Sequence, residues 1–125
     1  MSKRILVVED QEDNRRILRD LLTSADFEVI EAVDGEAGLA AAATHRPDLI
    51  LMDIQLPILD GYEATRRIKA DTSLLAIPVI AVTSYGLAGD AEKARAAGCD
   101  DYISKPYSPR QLLAKVRDYL SGPTR

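Results

Sequence analysis

The chain has 125 residues, 46% of them hydrophobic and 29% charged, which is the size and balance of one globular domain with a real core. A formal net charge of −4 offers no basic footprint for nucleic acid, and no apolar run approaches the roughly 18 residues that a membrane span needs. Cys99 has no second cysteine to bridge to, and "MSKRILVVED" turns acidic too early for a signal peptide, so a cytoplasmic location is expected, with neither nucleic acid nor membrane as partner.

In chain order, short apolar runs alternate with helical patterns. "ILVV" (5–8) reads as a first strand and runs into Glu9 and Asp10; Ile17, Leu18, Leu21 and Leu22 then recur at helical spacing. "EVIEA" (28–32) is a second strand, followed by an alanine-rich helix after Gly35. "LILM" (49–52) is the third and runs into Asp53, after which Asp60 and Glu63 read as a capping-box variant opening the next helix. "VIAV" (79–82) is the fourth, ending in Thr83 and Ser84, and Gly98 is a helix stop. "DYIS" (101–104) runs into Lys105 and Pro106; Ser108, Pro109 and Gln111 then start a last helix carried by Leu112, Leu113, Val116 and Leu120.

Strands that are apolar at consecutive positions are buried on both faces, and strand–helix alternation demands right-handed crossovers. The expected fold is therefore α/β, a doubly wound parallel sheet of five strands flanked by five helices, since five units are too few for an eight-stranded barrel. Such sheets place their sites beyond the carboxyl ends of the strands. Glu9, Asp10, Asp53, Thr83, Ser84 and Lys105 all fall there. Each alone has a plain structural reading, as a helix cap or a solvated end. Together, three acids, a hydroxyl and a lysine on one sheet edge are poorly explained by capping. His45 and Cys99 favour structural readings, at a helix end and as a small buried hydrophobe.

"VVED", "LILMDIQLPILDG", "AVTS" and "YISKPY" resemble, in order and spacing, the receiver domain of two-component response regulators, from about residue 3 to 120. The resemblance implies a flavodoxin-like strand order of 2-1-3-4-5 and a single domain over 1–125. Only "SGPTR" follows the last helix, so no output domain is expected. The segment "YGLAGDAEKARAAGCDDYISKPYS" looks most like stand-alone regulators of cell division and polarity in alphaproteobacteria, although receivers attached to hybrid kinases share much of it.

The resemblance makes Asp53 the phosphoacceptor. It makes Glu9, Asp10, Asp53 and the backbone carbonyl of Gln55 the ligands of Mg²⁺, a hard cation that keeps waters and bridges to phosphate. Lys105 balances charge on the phosphoryl oxygens, Thr83 and the Ser84 N–H bind them, and Tyr102 turns inward as Thr83 moves. A cis bond before Pro106 aims Lys105 at the site. In formal charge, three carboxylates at −3 with Lys105 at +1 and Mg²⁺ at +2 reach zero. Acylation of Asp53 by a phosphoryl group of roughly −2 then leaves a surplus near −1 that can bias a two-state element.

The implied function is a phosphorylation-activated switch. A sensor histidine kinase or phosphotransfer protein donates phosphate, and the face of the fourth helix, fifth strand and fifth helix recognises a target protein. Docking is expected on the first helix around Asn14, Arg15, Leu18 and Leu22. The chain departs from the common pattern in Glu9, where an aspartate is usual, and in Tyr85, whose bulk with Gln55 at the rim suggests slow loss of the phosphoryl group. The alternatives are a phosphate sink that drains a kinase; a flavodoxin-like ligand-binding protein, disfavoured by "EDQED" where a phosphate loop belongs; and a phosphohydrolase, for which Gln55 stands where a second acid is needed. No enzyme activity beyond the domain's own phosphorylation and dephosphorylation is expected.

Overall fold

The computed structural model describes residues 3–83 and 88–121, with the side chains of 88–91 outside the description. The chain alternates strictly: β1 (Arg4–Val8), α1 (Glu12–Ser24), β2 (Glu28–Ala32), α2 (Gly35–His45), β3 (Leu49–Asp53), α3 (Gly61–Ala70), β4 (Val79–Thr83), α4 (Ala88–Ala97), β5 (Asp101–Ser104) and α5 (Pro109–Leu120). All pairings are parallel and the sheet order is β2-β1-β3-β4-β5, as expected.

The consecutive apolar residues of the strands divide between two cores. Leu6, Val8, Ile50, Met52, Val79 and Ala81 face α2 and α3, packing against Ala42, Ala64 and Ile68. Their neighbours Ile5, Val7, Leu49, Leu51, Ile80 and Val82 face α1 and α5, against Leu18, Leu22, Leu112 and Val116. Each strand thus presents alternate side chains to opposite faces, and both faces are apolar because both are covered.

Local chemistry sets the ends of the helices. Asp60 Oδ1 accepts the Glu63 N–H at 2.9 Å and Ser108 Oγ accepts the Gln111 N–H at 3.2 Å, so both sequence-assigned caps form. Glu63 departs from a full capping box: its carboxylate pairs with Arg66 and Arg67 at 3.0 and 3.2 Å. Gly98 ends α4 at φ 100°, a conformation that side chains resist. The helical spacing of α1 holds, but Ile17 lies on its outer face, 54% exposed, while Leu18 and Leu22 are buried.

β3 and β4 each extend one residue beyond the apolar run. Asp53 pairs with Val82, and Thr83 pairs with Ser104. The acid is therefore a member of the ladder, and its main chain is held by the neighbouring strand.

Candidate functional site

The carboxyl ends of β1, β3, β4 and β5 converge. Carboxylate oxygens of Glu9, Asp10 and Asp53 all lie within 4.8 Å of one another. Glu9 and Asp53 are 1% and 4% exposed and Thr83 is 1% exposed, so the sheet has carried charge to the edge of its core without releasing it to water. Lys105 reaches across from β5, its Nζ 3.2 Å from Glu9 Oε1 and 3.6 Å from Asp53 Oδ2. In the loop after β5 the Lys105 N–H donates to the Thr83 carbonyl at 2.7 Å, and the Lys105–Pro106 peptide is cis.

Backbone amides hold the acids. The Gln11 N–H donates to Glu9 Oε2 and the Gln55 N–H to Asp53 Oδ1, each at 3.0 Å. Gln55 is itself exposed, and its peptide sits beside Asp53. Burial pushes the Glu9 carboxyl above its ordinary value of 4.5, the adjacent Asp53 pushes it further, and the Gln11 N–H and the Lys105 ammonium only partly offset this. Three acids with one lysine leave a formal charge of −2. A divalent cation would neutralise it, and an all-oxygen donor set of few protein ligands fits a hard ion of the Mg²⁺ kind.

Gly61 shows how closely the next helix is built onto this edge. A Cβ there would lie 2.3 Å from the Asp53 carbonyl oxygen and 2.7 Å from Ile54 Cα, so α3 can begin over the end of β3 only from glycine. Thr65, one turn on, donates to the Gly61 carbonyl at 2.7 Å and receives the Cys99 thiol at 3.7 Å. Cys99 is buried there, with its thiol pushed up by burial, in keeping with the structural reading. His45 closes α2, its carbonyl accepting from the Arg4 guanidinium.

The structure therefore brings together Glu9, Asp10, Asp53, Thr83, Gln55 and Lys105. Tyr102 is 37% exposed on β5, beside Gln111, Lys115, Asp118 and Tyr119. Ser84 and Tyr85 lie outside the described residues. One expectation needs correction: Leu18 and Leu22, assigned to docking, are 3% and 0% exposed and belong to the core between α1 and the sheet. The outward positions of this helix include Ile17, which with Asn14, Tyr107 and Pro109 borders a cleft of about 420 Å³ beside Lys105. Arg15, also assigned to docking, is turned inward. Its Nη1 donates to the carbonyls of Glu9 and Asp10 at 3.1 and 3.3 Å. Nothing in the residue pattern signals this contact, because it depends on the path of the loop between β1 and α1.

Residues 5–117 match the family model of the response regulator receiver domain. The chain is 46% identical over 120 residues to the polar-differentiation response regulator DivK of Brucella anthropi, covering 96% of this chain and 98% of that one. Among solved structures it resembles a response regulator from Chloroflexus aurantiacus, with a TM-score of 0.93 and 28% identity over 98% of this chain and all of the other. It also resembles the receiver domain of a sensor histidine kinase from Pseudomonas aeruginosa with a magnesium ion coordinated in its active-site cleft. That match has a TM-score of 0.91 and 36% identity, over 98% of this chain and all of the other.

Proposed function

The chain belongs to the response regulator receiver family, and from that premise we propose that it accepts a phosphoryl group on Asp53, with Mg²⁺ held by Glu9, Asp10, Asp53 and the Gln55 carbonyl, and signals by phosphorylation-dependent contact with another protein. The observation that carries this reading is the juxtaposition at the end of β3. A carboxylate fixed in the ladder stands within 4.8 Å of two further acids and 3.6 Å from an ammonium. A carboxylate is a weak nucleophile toward phosphorus, and its oxygen forms the acyl phosphate only when the incoming group is held in line and its charge is neutralised. One carboxylate oxygen bonds to phosphorus as the bond from phosphorus to the donor breaks.

The chain's own residues divide that work. The Gln55 N–H holds one oxygen of Asp53 and leaves the other for attack. Lys105 offers its ammonium to the phosphoryl oxygens, and Thr83 and the Ser84 N–H complete their hydrogen bonding. Mg²⁺, held by Glu9, Asp10, Asp53 and the Gln55 carbonyl, would supply the remaining positive charge. Arrival of the phosphoryl group draws Thr83 toward it, and Tyr102, now on the outside of β5, moves inward behind it. The face of α4, β5 and α5 then changes for a target protein. The donor is a sensor histidine kinase or phosphotransfer protein, a role assigned from the family, and the cleft bordered by Asn14 and Ile17 lies beside the acceptor where such a donor would dock. No helix among the described residues is long and apolar enough to cross a membrane, in keeping with a cytoplasmic setting.

The test is incubation with acetyl phosphate and Mg²⁺ followed by intact mass. A metal-dependent gain of about 80 Da, one phosphoryl group, is expected in the wild type and absent in Asp53→Asn. An equal gain in both proteins would remove Asp53 from this role.

A further inference from the structure

We propose that Arg15 is a positioning residue for the metal site: it fixes the main chain of Glu9 and Asp10 so that their carboxylates are presented to a divalent cation. The inference rests on the metal reading of these acids given above. Glu9 is held through its side chain by the Gln11 N–H and by Lys105. The Asp10 carboxylate makes no hydrogen bond or ion pair with the described residues, so its direction is set by its backbone. Among the described residues, the Asp10 carbonyl accepts one side-chain hydrogen bond, from the Arg15 guanidinium, whose Nη1 reaches it at 3.3 Å and the Glu9 carbonyl at 3.1 Å. A single nitrogen bridging two successive carbonyls locks both peptide planes at the end of β1.

Arg15 is in turn anchored. Its Nε pairs with Glu31 Oε1 of β2 at 3.3 Å, and its side chain is only 15% exposed. Arg19 takes the other Glu31 oxygen at 3.1 Å but contacts neither carbonyl, and it is 43% exposed. Two arginines share one carboxylate, and only one of them touches the loop that carries the acids. The planar guanidinium suits this task because it can serve an ion pair and two carbonyls from one rigid fork.

The arrangement makes a prediction opposite in sign to simple electrostatics. Deleting a positive charge near a cation site should tighten cation binding. If Arg15 positions the acids, deleting it should weaken binding, because partners that orient ligands typically matter by 10- to 100-fold. The experiment titrates the full chain with MgCl₂ at fixed ionic strength, following backbone amide shifts by NMR, in the wild type, Arg15→Met, Arg15→Gln and Arg19→Met. Melting in EDTA is recorded alongside. Arg15→Met is expected to bind Mg²⁺ about tenfold more weakly, with Arg15→Gln intermediate and Arg19→Met within about twofold of wild type or tighter. Equal or tighter binding in Arg15→Met overturns the proposal, as does a lowered melting point with unchanged affinity, which would make Arg15 purely structural. Should Arg15→Met not fold, the contrast between Arg15→Gln and Arg19→Met decides. A wild type with no Mg²⁺-dependent shifts at Asp10 and Asp53 would overturn the metal reading itself, and the positioning role with it.

Discussion

The two ends of the sheet each hold a lysine among carboxylates, and they use it differently. At the amino end of β4, Lys69 Nζ donates to the Leu75 carbonyl at 3.0 Å, the Ile77 carbonyl at 2.7 Å and Asp100 Oδ2 at 3.0 Å, while the same Asp100 oxygen accepts the Val79 N–H at 2.8 Å. All three ammonium donors are used, and one acid meets one base. At the carboxyl end, Lys105 stands 3.2 and 3.6 Å from two of three clustered acids, and the charges do not balance. Among the described residues, Lys69 has its three donors used and its charge balanced, whereas Lys105 faces surplus anion.

The contrast breaks most severely if the reactive end cannot be assembled. Gly61→Ala would drive a methyl into the Asp53 carbonyl at 2.3 Å and into Ile54, both main-chain atoms that cannot swing aside. A loss of about 3 kcal/mol is expected from such overpacking, read by urea denaturation. A loss below about 1 kcal/mol would mean that α3 can slide off the end of β3 and that Asp53 is less tightly held than its ladder implies.

Lys69→Met strands two carbonyls and Asp100, and should cost about 2 kcal/mol whether or not Mg²⁺ is present. Lys105→Met should cost less in EDTA, about 1 kcal/mol. It should also bind Mg²⁺ more tightly than wild type, since its removal deepens the negative charge, and so should recover stability when MgCl₂ is added. Paired denaturation curves with and without MgCl₂ test both. If Lys69→Met responded to Mg²⁺ as Lys105→Met does, the two ends would not differ in the way argued.

Acid titration separates the ends again. The Glu9 carboxyl is raised above 4.5 mainly by burial, so its protonated form is favoured by the fold. Its contribution to stability is fully present below 4.5 and is lost as pH rises through the higher folded value. Glu9→Gln, which mimics the protonated acid, should therefore melt higher than wild type at pH 7 in EDTA, and the gap should close as the pH falls below about 4.5. Mg²⁺ should reverse the order, because an amide is the poorer ligand for a hard cation. Asp71, lowered by its Ser73 hydrogen bonds at the balanced end, has the opposite sign. A Glu9→Gln protein less stable than wild type in EDTA at pH 7 would contradict the raised acid.

Much of this was legible in the sequence because the fold's constraint and the site's chemistry meet at the same residues. Strands covered on both faces must be apolar throughout, so Glu9, Asp53 and Thr83 stood out as polar residues at the points where burial ends. Arg15 did not, since its partners at the site are main-chain carbonyls, which leave no trace in residue type. Leu18 and Leu22 show the limit of analogy: their periodicity marked a buried stripe, and assigning them also to docking set the family pattern against the helix geometry. Ile58 carried no signal at all, for neither glycine nor asparagine marks its turn.

Ile58 provides the smallest effect and the finest distinction. It adopts φ 69° and is 89% exposed, in the loop that leads from Asp53 to α3. The Leu59 N–H donates to the Pro57 carbonyl at 2.7 Å across it, closing a three-residue turn. A β-branched side chain is poorly suited to positive φ, and at this exposure it recovers almost nothing by packing. Asp26 and Arg46, the other non-glycine residues at positive φ among the described residues, follow the ends of α1 and α2, away from the acids. Ile58→Asn should raise stability by about 1 kcal/mol, and Arg46→Asn by less, because arginine is unbranched at Cβ. Denaturation of the two variants against wild type measures the difference. A larger gain at Ile58 would place the chain's greater backbone strain at the reactive end of the sheet, beside the surplus charge. Equal gains would leave the two ends alike in backbone and different only in electrostatics.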